Sequence, residues 1–133
     1  MKCNPERGLL KRLAQNGAGF DCASLGELRS VLGFGVSAPR IIYTNPIKTP
    51  TSLRYARKVG VRYLVFDNDE ELQKIKEVYP EAIMLLRIAV KNPSAVIQLS
   101  DKFGAESPSS LHLLRRAVDL GMDIAGISFH VGG

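Results

Sequence analysis

Cysteine is scarce in this sequence. Cys3 and Cys22 are the only two, too few for a disulfide framework or a cysteine-built zinc site. A reduced, cytoplasmic compartment is the expectation. Long apolar runs are missing as well. None approaches the ~20 residues of a membrane span, and the opening "MKCNPERGLL" holds no apolar signal core. No membrane partner is expected. Blocks of one charge sign are also lacking. Lys+Arg number 18 and Asp+Glu 13, a net charge of +5. The basic residues, among them Lys11, Arg29, Lys48, Arg54 and Arg115, are spread along the chain. Scattered charge reads as solvated helix faces. No ladder of aromatic and basic residues offers bases a stacking platform, so nucleic acid is not an expected partner. No G-x-G-x-x-G follows any apolar run, and "GAGFDCASLG" lacks the spacing of a dinucleotide turn.

What remains is an ordinary globular composition, 45% hydrophobic and 23% charged over 133 residues, enough for one domain. Short β-forming runs lead into Asp21 and cover 40–45, 62–67, 82–88 and 124–130. Each is apolar on successive residues, which predicts strands buried on both faces. Helical patterns lie between them. Residues 5–16 place Leu9, Leu10 and Leu13 on one face. Ser24 and Glu27 form a capping box. Gly60 and Gly121 read as helix stops, and the acidic start at Asp67 suits a helix N-terminus.

Strand and helix therefore alternate five times, the first four strands spaced about twenty residues apart. Buried strands joined by helices imply a parallel sheet. The short, regular units favour part of a (β/α)8 barrel over a doubly wound sheet: about five parallel strands, unclosed. The last interval holds a long loop at 89–106, a length that usually carries function or disorder.

The residue that closes each strand carries the chemical signal. The runs end at Asp21, Asn45, Asp67, Arg87 and His130. In a parallel barrel these share the C-terminal rim, where such folds place their chemistry. Asp67 reads as a helix N-cap and Asn45 as a turn residue. Asp21 reads either as a turn residue before the Ser24 cap or as a site residue. Arg87 is flanked by apolar residues, and a buried guanidinium calls for a carboxylate or phosphate. His130 alone would be a core histidine; beside Asp21 and Arg87 it gains a functional reading.

Six motifs carry a resemblance: "MKCN" at 1–4, "GFDCAS" at 19–24, "RIIYTNPIK" at 40–48, "LLRIA" at 85–89, "KFGA" at 102–105 and "GISFHVG" at 126–132. Together they resemble the eukaryotic-type ornithine decarboxylases, pyridoxal-phosphate-dependent enzymes with an alanine-racemase-like barrel. The group also includes arginine, lysine and diaminopimelate decarboxylases. The resemblance implies decarboxylation of L-ornithine to putrescine in polyamine synthesis, with pyridoxal 5'-phosphate as cofactor and no metal. Lys2 matches the lysine that links covalently to the cofactor. His130 matches the histidine that stacks on its ring. Asp21 and Arg87 match residues lining the cofactor site. Glu27 matches a nearby acid, and Lys102 a lysine of the active-site loop. The implied catalytic residues are Lys2 and His130; the implied cofactor-binding residues are Lys2, Asp21, Arg87 and His130.

The same resemblance implies a homodimer for the full-length enzymes and an antizyme-binding surface, here at residues 50–73. Antizyme inhibitors, non-catalytic relatives, tend to replace the residues matching Asp21 and Arg87, which this sequence keeps. Residues 1–133 are expected to form a partial barrel without the family's C-terminal β-domain. The strand that leads into the family lysine is missing before Met1. Gly133 occupies the place of a phosphate-binding serine. The expectation is a fragment that binds cofactor weakly and lacks turnover. A related lysine, arginine or diaminopimelate decarboxylase remains an alternative, as does an antizyme-binding relative.

Overall fold

The computed structural model describes residues 1–97 and 102–132. Five strands, β1 (Phe20–Cys22), β2 (Ile41–Tyr43), β3 (Tyr63–Phe66), β4 (Ile83–Arg87) and β5 (Asp123–Ser128), lie in the spatial order β1-β2-β3-β4-β5. Every neighbouring pair is parallel. Helix α1 (Arg7–Gln15) precedes β1, and α2 (Leu25–Gly33), α3 (Pro50–Val59), α4 (Asp69–Val78) and α5 (Ser107–Asp119) fill the crossovers. Spatial order equals chain order, so the sheet advances one strand at a time in one direction. That is barrel winding; a doubly wound sheet reverses. The sheet is open, with β1 and β5 at its edges.

Local chemistry sets the helix boundaries. Ser24 Oγ accepts from Glu27 N at 3.2 Å, and Glu27 Oε2 accepts from Ala23 N at 2.5 Å, a near relative of the capping box. Thr49 Oγ1 takes Ser52 N at 3.1 Å at the start of α3. Gly60 ends α3 in the left-handed region at φ +84°, which glycine enters without penalty. Asp67, expected to cap α4, does not: Asn68 does, its Oδ1 accepting Glu71 N at 2.8 Å. The carboxylate of Asp67 is engaged elsewhere.

The core lies between sheet and helices. Phe20, Cys22, Ile41, Tyr43, Leu64, Phe66, Met84 and Leu86 are buried against Leu28, Val31, Leu53, Leu72, Ile75 and Leu113. On the opposite face the expectation of strands buried on both sides holds only at Val65 and Arg87. There Asp21 is exposed and Ile42, Tyr63, Ile83 and Leu85 are half-buried, while β5 alternates between exposed and half-buried. A closed barrel fills that layer with side chains from strands across its axis, and among the described residues no strand stands opposite. The leucine face of α1 also departs from expectation. Leu10 is buried, but Leu9 and Leu13 are each 42% exposed. They flank a cavity of about 260 Å³ shared with Phe20 and Asp21.

The reading of scattered charge as solvated surface fails at Lys48, which is 2% exposed. Arg40 is likewise committed, its guanidinium bonding the carbonyls of Ala14 and Ala18.

Candidate functional site

A parallel sheet carries all its C-terminal ends on one edge, and that edge gathers the chemistry. Arg87 is the last residue of β4, Asp67 follows β3 directly, and His130 lies two residues beyond β5. Asp21 sits one step earlier than expected, as the middle residue of β1 paired with Ile42. Its carboxylate is aimed by Thr44, whose Oγ1 donates to Asp21 Oδ1 and whose N–H donates to Cys22 O at 2.8 Å.

Arg87 is the buried cation of the rim, 9% exposed. A carboxylate or a phosphate was the expected partner. Instead its Cζ lies 5.1 Å from the centroid of the Phe103 ring. Burial pulls the guanidinium below its ordinary pKa, and the charges of Asp67 and then Asp21 oppose that shift. Among the described residues, no acceptor is hydrogen-bonded to its side chain and no carboxylate is within ion-pair distance. Its edge donors are therefore available to an anionic oxygen.

Asp67 is spent on the chain itself: its Oδ2 accepts Gly104 N at 2.7 Å. Beyond β5, His130 is exposed, and its Nδ1 accepts Gly132 N at 2.9 Å. That bond leaves the proton of the neutral ring on Nε2. The turn is backed by the segment after β4, where Asn92 Nδ2 donates to Val131 O at 3.0 Å. Gly132, at φ +87°, could carry no side chain without colliding with Ile97 O and Ala95.

Lys2 is exposed and makes no hydrogen bond or ion pair among the described residues. Its neighbours Met1, Cys3 and Asn4 line the same cavity as Asp21, which ties the N-terminal segment to β1. Asp67, Asp21 and Arg87 thus share one electrostatic environment, whereas among the described residues no hydrogen bond or ion pair joins His130 to them. Glu27 serves as a cap. Lys102 is exposed, and Gly133 lies outside the described residues. Sequence reasoning missed Phe103 and the buried Lys48. "KFGA" marked the first as part of a motif without assigning it a partner. "RIIYTNPIK" ended on the second, likewise without assigning it a partner.

Comparison with known proteins identifies the family. Residues 1–133 match the family model described as pyridoxal-dependent decarboxylase, pyridoxal binding domain. Ornithine decarboxylase of Neurospora crassa is 48% identical over 132 residues, 99% of this chain and 27% of that protein. Antizyme inhibitor 2 of Xenopus laevis is 47% identical over 132 residues, 99% of this chain and 29% of that protein. The crystal structure of arginine decarboxylase from Paramecium bursaria Chlorella virus superposes with a TM-score of 0.96 at 42% identity, covering 99% of this chain and 36% of that one. The chain spans about a third or less of the length of the curated relatives it matches. By both sequence and fold, the chain belongs to the pyridoxal-dependent decarboxylases and corresponds to their pyridoxal-binding domain.

Proposed function

We propose that these residues form the cofactor-binding portion of a basic amino-acid decarboxylase that converts L-ornithine to putrescine. The observation that carries this reading is Arg87, a nearly buried guanidinium whose edge donors meet no acceptor among the described residues. An oxygen-rich anion such as pyridoxal phosphate fits that donor set. The exposed amine of Lys2 would hold the cofactor covalently, since a neutral lysine amine is the nucleophile that condenses with an aldehyde. The Asp21 carboxylate, aimed by Thr44, would line the site beside Lys2. His130, whose Nδ1 accepts from Gly132 N, would present its ring to the cofactor ring. When bound, pyridoxal phosphate supplies the electron sink for the carbanion left as carbon dioxide departs.

Ornithine is preferred as substrate because the six motifs are of the ornithine-decarboxylase type; lysine, arginine and diaminopimelate are the competing substrates. The edges of β1 and β5, unpaired among the described residues, support the expectation that these residues alone bind cofactor weakly and do not turn substrate over. The test incubates the purified chain with pyridoxal phosphate, reduces with borohydride and maps the adduct by peptide mass, with Lys2→Ala as control. Release of carbon dioxide from ornithine, lysine and arginine is measured in parallel. An adduct at Lys2 without release is expected. No adduct at Lys2 would overturn the cofactor reading, and release would overturn the expected lack of turnover.

Antizyme binding is the second reading, favoured by one feature of α3. Arg57 is paired with Glu81, but Arg54 and Lys58 are exposed and make no ion pair among the described residues. An acidic surface on antizyme would suit them. Reversing their charge should abolish capture by antizyme, and unchanged capture would sink this reading.

A further inference from the structure

The short segment 103–105 grips Arg87 at two points. Ala105 N donates to Arg87 O at 2.8 Å, and Ala89 N donates to Ala105 O at 2.9 Å, which joins Ile88 and Ala105 in a parallel bridge. Two residues earlier, the Phe103 ring lies 5.1 Å from Arg87 Cζ. The link between these contacts is Gly104 at φ +104°. A Cβ there would stand 2.7 Å from Ala89 N and 2.8 Å from Ile88 C. Only glycine permits so close a passage. Its N–H donates to Asp67 Oδ2 at 2.7 Å, so the ring over Arg87 is set from the end of β3 as well as from β4.

A guanidinium meets an aromatic ring through its face, whereas its N–H donors lie in its plane and point from its edge. With Cζ 5.1 Å from the ring centroid, the Phe103 contact covers one side of the guanidinium, and among the described residues no acceptor takes its N–H donors. It also restrains a side chain that otherwise loses rotamer freedom when it binds a ligand. Asp67 is close enough to attract the guanidinium, yet it is held by Gly104 and forms no ion pair with Arg87.

We propose that Phe103 is a positioning residue for Arg87: its ring holds the guanidinium from one side, with N–H donors left open to an anionic oxygen, and Asp67 sets the ring through Gly104. This rests on the reading that Arg87 binds the cofactor.

The test compares the wild-type chain with Phe103→Leu, which keeps apolar volume but loses the π face, and with Phe103→Tyr, which keeps both. Pyridoxal phosphate affinity is measured by equilibrium dialysis, and folding by thermal melting. Phe103→Leu should weaken binding by about 3- to 10-fold, with Phe103→Tyr close to wild type. Equal affinity for Phe103→Leu and wild type overturns the proposal. A second measurement needs neither a variant that binds nor the cofactor itself. The Arg87 Nε–Hε resonance, assigned with Arg87→Lys, should lie upfield in the wild-type spectrum because of the ring current. An Hε at its ordinary position overturns the proposal even if Phe103→Leu fails to fold. A wild-type chain that takes up no cofactor defeats the reading of Arg87 as a cofactor ligand, while the Hε position still reports on the ring.

Discussion

Lys48 Nζ lies 3.1 Å from Glu71 Oε1, with the two side chains 0% and 2% exposed. The ammonium also bonds the carbonyls of Asn45 at 2.8 Å, Pro46 at 3.3 Å and Val65 at 2.5 Å. Glu71 in turn accepts the backbone N–H of Lys48 at 3.0 Å and pairs with Lys74. One buried pair thus ties the turn after β2 to β3 and α4, and it supports the rim that bears Asp67.

Removing one member should cost more than removing both. Lys48→Ala leaves the buried Glu71 carboxylate with Lys74 as its remaining counter-charge and three carbonyls without their donor, an expected loss of about 3 kcal/mol. The double variant Lys48→Met with Glu71→Leu should lose clearly less, because no buried charge is stranded. Urea unfolding of both variants checks this ranking, and a double variant less stable than Lys48→Ala would refute it.

The same lysine gives stability a defined pH dependence. Burial pulls its pKa from an ordinary 10.5 to about 8, with Glu71 opposing the shift. Below pH 8 both folded and unfolded chains hold the proton, and the cost of the buried charge stands in full. Between about 8 and 10.5 the folded chain releases it first, so this contribution to stability rises with pH, by up to about 3 kcal/mol. Cys22 works in the opposite sense: burial first, then the Glu27 charge, push its thiol from 9.0 to about 12. Its contribution is whole below pH 9 and is lost towards 12. Comparing wild type with Lys48→Met cancels the cysteine. The difference should shift in favour of wild type between pH 8 and 10, and parallel curves would exclude the effect.

The two thiols should also differ in reactivity, since the thiolate is the nucleophile. Cys3 is exposed and Cys22 is buried. A chromogenic disulfide reagent at pH 8 should titrate one thiol in the native chain and two in denaturant. Two fast native thiols would contradict the burial of Cys22.

Features visible in the sequence were those whose causes are local. The Ser24 cap, the Gly60 stop and the alternation of short β-forming runs each depend on neighbours within a few residues, and five strands and five helices follow from them. The rim residues were visible because a parallel sheet fixes where strand ends go. Lys48 was not, because its partners Val65 and Glu71 lie 17 and 23 residues away. Asp67 and Asn68 are both good caps by type. Only the approach of Gly104, 37 residues on, decides which of them caps α4. Likewise, the apolar look of the strands records a closed layer that the described residues only half build.

Gly104→Ala should be costly out of proportion to its size. It forces a side chain into the left-handed region and into Ala89, at a loss on the order of 1–3 kcal/mol. The loss should be local first. Hydrogen exchange at the amides of Ala89 and Ala105, which carry the bridge, should accelerate while β2 and β3 stay protected. Unchanged protection at both amides would show that the segment adapts.

Asp21 should separate function from folding. It is exposed and its side-chain partner is Thr44. Asp21→Asn keeps an acceptor for Thr44 Oγ1, so stability should change by no more than about 0.5 kcal/mol. The charge, however, is gone from the surroundings of Arg87 and from the cavity that Met1, Cys3 and Asn4 line. If the carboxylate serves the cofactor site, borohydride-trapped adduct at Lys2 should fall several-fold in Asp21→Asn. It should fall less in Thr44→Val, which loses the aim of the carboxylate but keeps the charge. Wild-type trapping in Asp21→Asn, at unchanged stability, would return Asp21 to its other reading, a residue that merely organises the turn before Ser24.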